Sequence, residues 1–352
     1  MDTPADISAG ITAATALLRQ HGAADLGHPG GTLLAHLERV EKRLAGWGAR
    51  PALRLAGLCH AFYGTDGFAE SLLPLERRGE LASVIGTEAE ELVHFYASCD
   101  REASYGALAQ PGARFRDRFT GRTSSPAPER LRDFAELTAA NELDLAEVNE
   151  AIRAEHGGAL LRLFTTWLPL LTDAAHRNAR EVLTLRGEER QAFLHGLERG
   201  DVVTGVVSVI ADFGVTFVEL GGVQAMMNIP EVSWRRIDFP SDVIRVGEEL
   251  AFTVLDVETE EVDGRERVSL SLKDLRPDPL RELARTRLGQ AVRGTVTTGV
   301  AFGVFVRVAD GVEGLLHDDD LAGRALRVGD EVDVVIAGVN VVQRRVRLTL
   351  AP

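Results

Sequence analysis

An internal repeat in the rear half constrains this chain more than any other feature. The stretch from Asp201 to Lys273 opens with D-V-V-T-G-V-V-S-V-I-A-D-F-G and closes with R-E-R-V-S-L-S-L-K, and its pattern returns between Leu288 and Leu350. G-V-V-S-V-I-A-D-F-G-V-T-F-V-E-L-G-G-V-Q-A-M-M-N lies over G-T-V-T-T-G-V-A-F-G-V-F-V-R-V-A-D-G-V-E-G-L-L-H, and R-V-S-L-S-L lies over R-V-R-L-T-L. Val, Ile, Phe and Thr fill Val202 to Ile210 and Val215 to Leu220, with Gly214, Gly221 and Gly222 between and after them. This reads as short strands joined by tight turns. Five such strands close a small barrel, so the repeat predicts two barrels in tandem.

Alternation sorts the side chains between the two faces of each strand. In the second copy Val304, Val306 and Val308 face the interior while Phe305 and Arg307 point out; along the closing strand Val346, Leu348 and Leu350 point in and Arg345 and Arg347 share the outer face. Aromatic rings and guanidinium groups on one outer face form a platform for unpaired bases. Each stacked base is worth roughly 1–3 kcal/mol, and Arg adds phosphate contacts and cation–π attraction.

Each copy resembles the S-one domain, the RNA-binding repeat named after the large ribosomal protein of the small subunit, in which G-x-V…F-G-x-F-V…G-x-x-G-L-x-H and R-x-x-L-S recur. The S-W-R-R-I-D-F-P-S-D-V insert of the first copy strengthens that likeness. The resemblance implies an OB-fold whose middle strands bind oligonucleotides. It implies RNA contacts at Phe302, Phe305, His317 and Arg345, with Arg347 alongside, in the second copy, and at Phe213, Phe217, Asn228 and Arg267 in the first. The first copy carries one extra residue between its two phenylalanines and Asn where the family has His. That residue is either absorbed as a bulge, leaving Phe217 outward with Glu219, or turns the ring inward. The implied partner is single-stranded RNA or mRNA, with the ribosome as a further partner, in translation or RNA metabolism.

Charge bears on the ligand class. A formal net charge of -14 over 352 residues excludes a duplex binder driven by a basic surface, but a stacking platform needs only a local positive stripe. Cys59 and Cys99 lack a C-x-x-C partner and read as reduced thiols of a cytoplasmic chain. No apolar run has the length of a membrane span, so neither a membrane partner nor export is expected.

Ahead of the repeat, residues 1–185 show helical periodicity and predict an all-α domain. A charged helical linker over 186–199 leads to the first barrel at 200–275, and a short helical linker over 276–287 leads to the second at 288–352. Leu33, Leu37, Val40, Leu44 and Trp47 recur on one helix face, Gly48 ends that helix, and His36 lies on the apolar side. The next apolar helix, Ala52 to Phe62, carries His60. The whole stretch G-H-P-G-G-T-L-L-A-H-L…G-L-C-H-A-F-Y-G-T resembles the HD-domain superfamily of helical, metal-dependent phosphohydrolases, whose motif is H…H-D…D. His36 and His60 fill the histidine slots, but Ala61 stands where the essential Asp belongs. Asn141, Glu142 and Asp144 are the candidates for the distal acid, and His28 and His94 are alternative ligands.

Two readings stay open for this half: core histidines of a degenerate domain with no cofactor, or a divalent-metal centre that hydrolyses a nucleotide or RNA-linked phosphate. A third function, a ribosome- or protein-docking scaffold, also remains. From Phe115 to Glu129 the segment R-F-R-D-R-F-T-G-R-T-S-S-P-A-P-E reads as a surface loop or an additional RNA contact, and helix breaks are expected at Gly157–Gly158 and Pro169.

Overall fold

Helices α1 (Pro4–Gln20), α2 (Leu33–Gly46), α3 (Pro51–Cys59), α4 (Arg78–Ile85), α5 (Thr87–Ala97), α6 (Arg101–Ser104), α7 (Pro128–Val148), α8 (Glu150–Thr166), α9 (Asp173–Leu183) and α10 (Gly187–His195) build the front half of the computed structural model, which describes residues 4–68, 70–259, 266–321 and 323–351. The start and stop signals act locally. Thr32 accepts a hydrogen bond from the Ala35 amide and opens α2; Gly48, at φ +79°, takes the left-handed conformation that ends it. The apolar stripe of α2 is buried together with His36, against α3 and α7. Strands β1 (Gly27–His28) and β2 (Gly31–Thr32) form the turn before α2.

One expectation for this half is corrected, and one is refined. The Arg/Phe segment folds as a hairpin of β3 (Phe115–Arg116) and β4 (Thr123–Ser124), with Phe115 fully buried and stacked on Phe95 at 4.1 Å between ring centroids. Phe115 therefore belongs to the core and offers no face to RNA. Helix α8 runs through Gly157–Gly158, and the break falls earlier, at Asn149, whose side chain accepts from the Ala151 and Ile152 amides. Gly158 serves a close approach instead: a Cβ there would stand 3.0 Å from the Gly221 carbonyl oxygen of the first barrel.

The first barrel closes in the order β5 (Val202–Ile210), β6 (Thr216–Glu219), β7 (Gln224–Met227), β9 (Glu266–Ser271), β8 (Glu249–Thr259). The second repeats it as β10 (Ala291–Val300), β11 (Gly303–Ala309), β12 (Val312–His317), β14 (Arg345–Leu350), β13 (Glu331–Asn340). The third and fifth strands of each barrel pair parallel and the other neighbours antiparallel. Bulges fall at matching places, after Val207 and Val254 in one and after Val296 and Ile336 in the other, and bend the sheet toward closure. Val207, Val218, Phe252 and Leu270 fill the first interior; Val306, Val334, Ile336 and Leu348 fill the second. The short α11 (Ile229–Val232) follows β7, and α12 (Pro279–Thr286) sets Leu280 and Leu283 into the second core.

The front half docks on the first barrel. Helix α8 packs on β5 and β6, the Leu185 amide donates to Gly222 O at 3.0 Å, and Arg162 lies 3.7 Å from Glu249. Glu219, buried in the same region, accepts from the amides of Gly221 (2.8 Å) and Gly222 (2.5 Å), and burial raises its pKa against those two bonds. Among the described residues no helix is long and apolar enough to cross a membrane.

Candidate nucleic-acid interface

Strand register decides what the outer face of each barrel presents. In the second barrel Phe305 sits opposite Leu315 on β12, and Leu315 sits opposite Arg347 on β14, so the three form one outward rung. Arg307 opposite Glu313 begins the next rung, and Gly303 opposite His317 the previous one. The turn before Gly303 lifts Phe302 over that end. Its ring is 49% exposed and lies 6.4 Å from the His317 ring at an interplanar angle of 28°. Around these residues a groove of about 940 Å³ is lined by Phe302, Phe305, Leu315, His317, Arg345 and Arg347, with Asp319 and Asp320 at one edge.

Arg345 is exposed and carries no ion pair among the described residues, and Arg347 meets only Asp320, at 3.7 Å. The Arg345 charge is free to meet phosphate, and Arg347 is exposed, so its pair is screened by solvent. His317 lies 3.2 Å from the exposed Asp319.

The first barrel reproduces the geometry with different chemistry. Phe217 sits opposite Met226, and Met226 opposite Ser269. Thr216 and Val218 are buried on either side of Phe217, so the ring points outward and the extra residue is accommodated ahead of β6. Phe213 is 75% exposed at the loop, and Asn228 and Arg267 are exposed. Glu219 stands where the second barrel has Arg307, and Ser269 where it has Arg347. This face offers rings and fewer cations. Met226 and Leu315, which fill the middle of each rung, were not singled out by residue type; period-two alternation from Asn228 and His317 would have found them.

The comparisons fit this geometry. A family model described as S1 RNA binding domain matches residues 197–273 and 285–351. The rear half is a pair of S1 RNA-binding domains. Small ribosomal subunit protein bS1 of Mycobacterium tuberculosis is 45% identical over 173 residues, covering 47% of this chain and 35% of the relative. The corresponding protein of Mycolicibacterium smegmatis is 44% identical over 173 residues, with 47% and 35% covered. That of Neisseria meningitidis is 37% identical over 172 residues, with 46% and 30% covered. The chain thus spans about a third of the length of the curated relatives it matches. A second family model, a domain of unknown function (DUF6817), matches residues 17–101.

In the helical half three of the four candidate histidines come together. The His28 and His36 rings stack with centroids 4.2 Å apart, and His36 meets His60 at 5.3 Å. His94 lies elsewhere, beside Tyr63 and Phe119. Both nitrogens of His36 are taken by the protein: Nδ1 donates to Asp144 Oδ2 at 2.7 Å, and Nε2 lies 3.0 Å from Asn141 Oδ1. His60 Nδ1 donates to Gly57 O at 2.8 Å. Burial, with His36 alongside, lowers the pKa of His60 to about 3 and that of His28 to about 4, which keeps both neutral. Among the described residues no group of three or more His, Cys, Asp or Glu side chains is arranged to hold a metal ion. The donor set does not fit a divalent metal, and Ala61 supplies nothing in its place.

Proposed function

We propose that this chain binds single-stranded RNA across the outer faces of its two barrels, with working units at 200–275 and 288–352, in the cytoplasm and in the setting of translation, where the ribosome is its larger partner. The observation that carries this reading is the open groove of the second barrel, in which Phe302, Phe305 and His317 present rings beside Arg345 and Arg347. Rings supply sequence-tolerant stacking and guanidinium groups supply phosphate contacts, the two components a single-strand site needs. The first barrel adds Phe213, Phe217, Asn228 and Arg267 as a weaker second contact.

Fluorescence anisotropy of labelled single-stranded RNA against wild type and Phe302→Ala/Phe305→Ala tests the reading. At roughly 1–3 kcal/mol for each stacked base, the double variant loses tenfold or more in affinity. Failure of the wild type to bind, or equal binding by the variant, assigns the barrels to protein docking instead.

A further inference from the structure

A second groove, of about 670 Å³, lies between the two barrels. The first barrel lines it with Trp234, Arg235, Arg236 and Lys273, and the second with Arg307 and Arg344. Phe305, Glu313 and Arg344 line both this cleft and the stacking groove, so the two depressions are continuous around Phe305. Its far end takes in Pro230, two residues past Asn228 of the first barrel's face. Five cations line the cleft against two lining carboxylates, Asp310 and Glu313, with Asp278 and Glu231 behind them, in a chain whose net charge is -14. Arg307 lies 4.0 Å from Glu313, so the cleft's excess of positive charge rests on the arginines of the first barrel's insert.

Not all five charges are available. Trp234 donates from Nε1 to Arg276 O at 3.1 Å and holds the Lys273 ammonium and the Arg344 guanidinium 4.8 and 4.7 Å from its ring centroid. Arg344 is also bound bidentately by Asp278 (2.8 and 3.2 Å), and Lys273 lies 2.9 Å from Glu231. These interactions tie the barrels together and neutralise both cations, and they occupy the Trp234 ring. Arg236 is exposed and has no ion pair among the described residues. Arg235 reaches across the cleft to the exposed Asp310, a solvent-screened pair worth little.

We propose that this cleft is a phosphodiester-binding subsite in which Arg235 and Arg236 carry a single strand from the stacking groove of the second barrel toward the first. The proposal rests on the RNA-binding reading and adds the route between the barrels. Continuity with an aromatic face favours a nucleic-acid backbone over an acidic peptide, which has no use for the rings at the groove's other end.

The test compares two labelled oligouridylates, one of about four nucleotides, the lower bound for one OB fold, and one of about sixteen, which is long enough to leave the groove. Arg235→Ala/Arg236→Ala is expected to weaken the longer RNA about tenfold at low salt and leave the shorter one unchanged. The slope of log affinity against log salt becomes shallower by about 1.4, at about 0.7 for each phosphate of a single strand that the protein no longer neutralises. Asp310→Ala, which breaks the cross-cleft pair and keeps Arg235, is expected to bind the longer RNA at least as well as wild type. The proposal is overturned if the double variant retains wild-type affinity and slope, or if Asp310→Ala loses as much as the double variant, which makes the pair a structural tie. It is also overturned if polyglutamate binding, and not RNA binding, is what the double variant loses. A wild type that binds neither oligomer fails the RNA-binding reading itself.

Discussion

Replacing Asp144 with Ala separates a structural histidine cluster from one kept for chemistry. Asp144 is buried; it accepts from Arg39 Nε at 2.7 Å, Arg39 Nη2 at 2.9 Å and His36 Nδ1 at 2.7 Å. Burial alone would raise its pKa, but the hydrogen bonds from His36 and Arg39 outweigh that and lower it. Arg39 keeps 30% of its side chain in water, so the loss of its charge-assisted pair costs about 1–2 kcal/mol after screening. His36 is 1% exposed, and stranding its Nδ1–H costs a further 1–3 kcal/mol or so. The expected destabilisation is therefore about 2–5 kcal/mol, the upper part of which is typical of removing one partner of a buried ion pair. At an m-value of about 2 kcal/mol/M in urea, that moves the midpoint followed by circular dichroism at 222 nm down by roughly 1–2.5 M. Asp144→Asn, which keeps a neutral acceptor, is expected to fall about half as far. A shift below 0.5 M or so, about 1 kcal/mol, or a gain in stability, would refute the argument and indicate a cluster maintained at the expense of stability, as functional sites are.

Two further outcomes follow from the same packing. His60 has a folded pKa of about 3 against an ordinary 6.5, so the unfolded chain takes up its proton first as pH falls; stability is full above 6.5 and declines below it, by about 2 kcal/mol between pH 6.5 and 4.5. Asp144, with a folded pKa below its ordinary value, keeps its contribution throughout that window. A urea midpoint that stays level from pH 7 to 4.5, or a His60→Leu variant with an undiminished slope, contradicts this. Gly158→Val places side-chain carbon against the Gly221 backbone and is expected to cost about 1–3 kcal/mol of docking between α8 and the first barrel. Trypsin should then cleave faster within residues 184–200, and an unchanged cleavage rate refutes the close-approach role of the glycine.

Features that depend on neighbours along the chain were legible in the sequence, and features that depend on partners far away were not. Outward Phe305 and inward Val304 and Val306 follow from period-two alternation, which local backbone geometry enforces. The rung Phe217, Met226, Ser269 did not, because its register depends on the bulge after Val207 and on where the extra residue is accommodated. Spacing places His36 on the apolar face of its helix, yet its partner lies 108 residues away and had to be chosen among Asn141, Glu142 and Asp144; two of the three touch it. Phe115 could not be placed from the sequence because arginine and phenylalanine in alternation look alike whether the ring meets solvent or Phe95. Gly157–Gly158 suggested a helix end because propensity says nothing of a barrel backbone that needs the space. Trp234 carries no local signal of its role, since both of its cations come from distant strand ends.

In the single-strand reading proposed above, the unlike rungs of the two barrels give arrival and departure of a strand different determinants. Long-range attraction acts before the surfaces meet and depends on exposed cations, so the stacking face of the second barrel, whose rung ends in Arg347 where the first has Ser269, weighs more in encounter than that of the first. Once a strand is held there, the Phe213 and Phe217 rings meet it at the high local concentration that tethering imposes, and each adds residence time without speeding capture. Capture thus responds to ionic strength, while residence responds to the rings of both barrels.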